Sequence, residues 1–175
     1  MCIWVYTFSM SIVVHTTPAP TPKTNDVRRI ATFYAIILVI MAVSQLFTFD
    51  EFLKLVTSFN FPGGVRYAYF ITALLVVSEV FALPFLLRMA LSPAFRWLSM
   101  VLGWLVALIW AKLTIWLVIQ DSVVNNVGFL GTAVNLMPGW WAIFISVALG
   151  ILAAWASWGM WPGKKASKRV TKEQK

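Results

Sequence analysis

The chain has 175 residues, 61% of them apolar and 11% charged, against about 45–50% and about 25% in a soluble globular domain. That composition excludes an ordinary soluble domain and is that of an integral membrane protein. The formal net charge of +8 would suit a nucleic-acid binder, but the basic residues gather beside apolar runs and form no aromatic-interleaved groove, so no nucleic-acid partner is expected.

Side-chain chemistry narrows the classes further. Cys2 and His15 are the only cysteine and histidine, which leaves no internal disulfide, no CxxC pair, no zinc cluster and no intramembrane histidine pair for haem. No nucleophile–base set is spaced for catalysis. No cofactor is therefore expected, and enzyme activity has no support in the chain.

Residues 1–27 read as a disordered leader. Met1 to Val14 is apolar, yet it is short of the roughly 20 residues a spanning helix needs and lacks a basic n-region or cleavage site. Thr16 to Thr24 (TTPAPTPKT) carries three prolines and reads as extended chain. Translation could begin at Met1 or at Met10.

Residues 28–162 form the expected transmembrane domain, an all-α four-helix bundle. Its spans are about Ile30–Phe47, Tyr67–Leu87, Trp97–Ile119 and Trp140–Trp161, each long enough at 1.5 Å per residue for a hydrocarbon core of about 30 Å. Trp97, Trp116, Trp140, Trp141, Trp158 and Trp161 suit the interfacial belts. Trp104 and Trp110 lie deeper and read as packing residues. Pro84 is tolerable because a neighbouring helix can satisfy the freed carbonyl.

Between the first two spans, Phe49, Phe52, Leu53, Val56 and Phe59 follow an i, i+3, i+4, i+7 pattern. This spacing predicts a short amphipathic helix in the first outer loop, lying in the interface and closed by Phe61-Pro62-Gly63-Gly64. The inner turn Met89–Arg96 is short. The second outer loop, Gln120–Gly139, is long and rich in Asn and Gly, and nothing in it names a chemistry.

Orientation follows from the basic residues. Lys23, Arg28 and Arg29 flank the first span, Arg88 and Arg96 border the inner turn, and six more lie in the tail, residues 163–175. Only Lys54 and Arg66 fall on the other side. The positive-inside rule places both termini in the cytoplasm, in a multi-pass protein of the plasma membrane (the inner membrane of a bacterial cell). Lys164, Lys165, Lys168 and Arg169 should contact anionic lipids at the cytoplasmic face, at about 1 kcal/mol per residue.

Two ionisable residues lie within the spans, Glu79 and Lys112. Such groups are costly in hydrocarbon and are functional-site candidates by default. Glu79 is nine residues from Arg88, about 13 Å above the inner edge, and Lys112 is sixteen from Arg96, about 24 Å above it. Helical side chains lean toward their own N-terminus, so on antiparallel neighbours these two would lean toward each other. Gln45, sixteen residues from Arg29, shares the depth of Lys112. Glu79, Lys112 and Gln45 thus form a candidate intramembrane polar pocket. A structural ion pair and a functional pocket are equally open readings. Ser146, at a comparable level, reads as an interhelical hydrogen bond worth about 0.6 kcal/mol.

The layout resembles the DoxX and MauE-like family of small four-helix bacterial membrane proteins. The resemblance covers roughly residues 28–119. It is carried by VSQLFTFDEF at the end of the first span, the Pro-Gly turn before the second, and the glutamate of LVVSEV (Leu75 to Val80). Members often carry Lys near the end of the first span, where this chain has Gln45. The resemblance implies an accessory membrane protein without its own catalysis, a subunit or a docking or maturation partner of a membrane-associated redox system, with a membrane or periplasmic protein as partner. The alternative is a small proton-coupled transporter using Glu79.

Overall fold

The computed structural model describes residues 17–19, 21–120 and 124–161. The apolar segment Met1–Val14, the choice between Met1 and Met10, and the basic tail with Lys164, Lys165, Lys168 and Arg169 lie outside the described residues.

Five helices make up the described chain: α1 (Asn25–Phe47), α2 (Phe49–Ser58), α3 (Gly64–Leu86), α4 (Pro93–Ile119) and α5 (Trp140–Gly159). All but α2 are long and apolar enough to cross a membrane, so the chain is that of a multi-pass membrane protein. Helix α1 packs on α3 and α5, and α4 packs on the same two helices.

Two helices begin earlier than their apolar runs because they are capped outside them. The Thr24 hydroxyl accepts from Val27 N (3.4 Å) and Asp26 lies in the first turn, so α1 starts at Asn25. Ser92 accepts from Phe95 N (3.3 Å) and Pro93 occupies the first helical position of α4. Pro84 removes one donor near the end of α3. One rung further on, the Ser99 hydroxyl of α4 accepts from Phe85 N and donates to Phe81 O, bridging the helical ladder from outside.

Small residues set the helix spacing. Gly103 of α4 faces Ala82 of α3, where an added Cβ would lie 3.6 Å from the alanine methyl. That close approach lets the buried Tyr34 hydroxyl donate to Gly103 O at 2.8 Å. Ser146 meets Thr114 across α4 and α5, hydroxyl to hydroxyl, at 3.2 Å.

Helix α2 is amphipathic, with Asp50, Glu51 and Lys54 exposed on one face. Its apolar face serves the protein more than an interface with lipid. Phe52, Val56 and the following Phe59 are buried, Phe49 and Leu53 are half-buried, and the helix packs on α3.

The proline-rich segment before α1 is extended but is not a free leader where it is described. Thr17 pairs with Leu91 of the inner turn, its N–H donating to Leu91 O at 3.1 Å. The buried Arg96 donates from Nη2 to Thr17 O (2.7 Å) and Pro18 O (3.1 Å). Further on, Lys23 N donates to Gly159 O (3.3 Å), and Lys23 Nζ lies 3.6 Å from the Trp158 ring centroid. The described parts of this strap are therefore bonded to the turn between α3 and α4 and to the end of α5. Arg96, counted in the sequence as a topogenic charge, is the residue that holds the strap.

Candidate functional site: a buried carboxyl beneath a loop cap

Glu79 lies on the inward stripe of α3 with Thr72, Leu75, Val76 and Ala82, and none of its surface is exposed. Two neutral N–H donors converge on its Oε1. Trp110 of α4 donates through Nε1 at 3.2 Å, and Gln45 of α1 donates through Nε2, also at 3.2 Å. Gln45 Nε2 also donates to the backbone oxygen of Phe129 at 3.1 Å. All three side chains are fully buried. Two acceptors in this cluster, Glu79 Oε2 and Gln45 Oε1, have no hydrogen-bond partner. A carboxyl with one saturated and one bare oxygen can take up or release a proton on the bare one without disturbing either bond.

The cluster is closed from the side of the second long loop. The Phe129 ring stacks on Trp110, with centroids 4.4 Å apart and planes inclined by 33°. Asn126 folds the loop that carries this ring. Its Oδ1 accepts from Gly128 N (3.0 Å) and Leu136 N (3.3 Å), and its Nδ2 donates to Gly131 O (3.1 Å). A backbone bond from Val127 N to Leu136 O (2.8 Å) completes the fold. Gly131 has φ +59° and lies against the end of α1, where a Cβ would run into the Thr48 hydroxyl and approach the Ser44 carbonyl. Thr132 then ties the loop to the α1–α2 junction and to α2, donating N–H to Thr48 Oγ1 (3.2 Å) and Oγ1–H to Glu51 Oε2 (2.7 Å). The loop is a packed cap over the buried carboxyl.

The structure brings Glu79 and Gln45 together, although the residue count placed Gln45 at the depth of Lys112 and about 11 Å above Glu79, and it separates Lys112 from both. Lys112 is exposed, and its Nζ donates to Tyr67 Oη at 2.8 Å. The expected Glu79–Lys112 contact is therefore corrected, and the reason is rotational. Gly103, Trp110 and Leu117 repeat every seven residues along the buried stripe of α4. Lys112 is two residues past Trp110, about 200° around the helix, and so faces away from the centre. Its axial position matters as well. Lys112 is seven residues from the end of α4 and Tyr67 is the fourth residue of α3, so the amine reaches toward the helix ends and not toward Glu79.

Trp110 is the site residue that sequence reasoning assigned to packing alone. Its signal was present, since a buried indole N–H needs an acceptor and Glu79 is the single acid within the spans. Phe129 had no comparable signal, because its role depends on how a loop folds back. Compared with known protein families, with curated proteins and with solved structures, the chain matches none.

Proposed function

We propose that the chain is a four-helix bundle spanning the plasma membrane of a bacterial cell, with both termini cytoplasmic and α2 and the 124–139 loop on the outer side. In this reading it is a non-catalytic accessory protein that docks or assists a membrane-associated redox system. The redox association comes from the likeness of its VSQLFTFDEF and LVVSEV segments to DoxX and MauE-like proteins. What supports the docking part is one observation: Gln45 joins the buried carboxyl to the backbone of the loop, so the polar centre is used to hold a folded cap in place. A preformed surface binds a partner without the entropic cost of ordering it first.

Photo-crosslinking residues placed at Lys54 on α2 and at Asn125 and Asn135 on the cap, all exposed, test this in native membranes. A discrete adduct with one membrane or periplasmic enzyme subunit is expected, and it should vanish when Gly131→Ala disturbs the loop. Adducts with lipid alone would rule the docking reading out.

The bare Oε2 of Glu79 favours a second reading, a proton-coupled carrier. Purified protein in liposomes loaded with a pH-sensitive dye would then carry a proton flux that Glu79→Gln abolishes. No flux above empty liposomes would remove this alternative.

A further inference from the structure

Lys112 lies on the outward stripe of α4 with Leu108, Ile115 and Ile119, all exposed. An ammonium on a lipid-facing stripe needs a counter-charge or water, because an unpaired cation in hydrocarbon is costly. Among the described residues its bonding partner is the neutral Tyr67 hydroxyl, which does not supply one. The bond has a direction with a consequence. Lys112 donates to Tyr67 Oη, so among the described residues the phenol proton and two of the three ammonium protons are left for another acceptor. Nζ also lies 5.4 Å from the Tyr67 ring centroid, which holds the amine beside the phenol.

Among the described residues, the surroundings add one further cation and no carboxylate. Arg66, next to Tyr67 in the chain, is exposed. Trp116, one turn beyond Lys112, has its indole N–H committed to Phe59 O at 3.0 Å. Tyr67 is the fourth residue of α3 and Lys112 lies about 10 Å before the end of α4. With its long side chain extended toward Tyr67, near the helix ends, the amine has the reach to snorkel to a headgroup level.

We propose that Lys112 and Tyr67 form a binding site for a phosphodiester or phosphate monoanion, filled in the membrane by the headgroup of an anionic phospholipid in the leaflet at the α2 end of the molecule. The ammonium supplies charge-assisted donors and the phenol O–H supplies one more. The acyl chains would lie along Leu108 and the neighbouring exposed apolar residues. This inference rests on the membrane reading of the four long helices but not on which end is cytoplasmic.

The test uses the full chain with Lys164, Lys165, Lys168, Arg169, Lys172 and Lys175 all changed to Gln, which removes the tail's basic side chains as rival lipid binders. The protein, in a neutral detergent, is titrated with phosphatidylglycerol and followed by native mass spectrometry. One lipid should be retained per chain. Lys112→Met should weaken retention about fivefold, the factor for one interfacial charge. Lys112→Arg should keep it, and Tyr67→Phe should weaken it less. Circular dichroism and a melting curve check each variant, and Tyr67→Phe carries the test alone if Lys112→Met does not fold. Inorganic phosphate in excess distinguishes the sources: displacement of the lipid supports the site with the free anion as a competing ligand, and retention supports the lipid. Undiminished retention in Lys112→Met and Tyr67→Phe overturns the proposal. So does a zero-length amine–carboxyl crosslink from Lys112 to a second protein in native membranes, which would make the occupant an acidic helix. A wrong membrane topology would show separately, in reporter fusions, without altering retention.

Discussion

At Glu79 two N–H donors fall on one oxygen and leave the other bare, and this sets what substitutions should do. Trp110→Phe keeps the ring on Phe129 but removes a donor from a fully buried carboxyl, so it should cost about 1–3 kcal/mol in a detergent denaturation series. A double-mutant cycle on Glu79 and Trp110 should give a coupling of about 0.5–3 kcal/mol. The same cycle on Glu79 and Lys112 should be additive within about 0.5 kcal/mol, because these side chains do not share a partner. Strong coupling in the second cycle would mean that the ammonium does reach the carboxyl. Glu79 and Gln45 were legible as site residues, since a polar side chain deep in an apolar run seeks a partner, but counting residues along straight helices placed them about 11 Å apart in depth. The choice of Trp110 over Lys112 needed the rotation of α4 about its axis.

Among elements, the cap and the strap carry the clearest expectations. Gly131→Ala places a methyl against Thr48 and Ser44 at a left-handed backbone position, so the loop should lift from α1. Amide exchange over 124–139 should rise sharply while that of α3 and α4 stays unchanged. Asn126→Ala, which removes the side chain that folds the loop, should act in the same direction. At the other end, Arg96→Gln should release the 17–24 strap, and trypsin should then cut after Lys23 several times faster than in the parent. Unchanged cleavage would show that the Thr17–Leu91 pairing and the Lys23–Gly159 bond suffice without the guanidinium. Helix α2 was visible in advance as five apolar residues at helical spacing between Phe49 and Phe59. That pattern is the same whether its face meets lipid or protein, so the burial of Phe52 and Val56 could not be read from it.

For the whole molecule, the distribution of basic residues predicts sidedness. A reporter active only in the cytoplasm should work when fused after Lys175 and fail when fused near Asn126. The reverse pattern would overturn the orientation and would move the cap to the cytoplasmic side. The cap is held to α1 and α2 through Thr48, Glu51 and Gln45, whereas the strap is bonded to the turn between α3 and α4 and to α5. The two ends of the molecule are thus closed by different irregular segments, each anchored by side chains of the long helices.

The amino-acid sequence by itself determined the four membrane-length helices, the short amphipathic one between the first two, and the presence of a carboxyl among apolar neighbours. These are local properties: hydropathy, a repeat of 3.6 residues and capping are written along one stretch of chain. The tertiary structure alone decided which atoms meet that carboxyl, that Phe129 closes over it, and that Lys112 turns outward to Tyr67. Those outcomes depend on the rotation and axial offset of each helix against its neighbours. Packing around Gly103, Ala82 and the cap sets both.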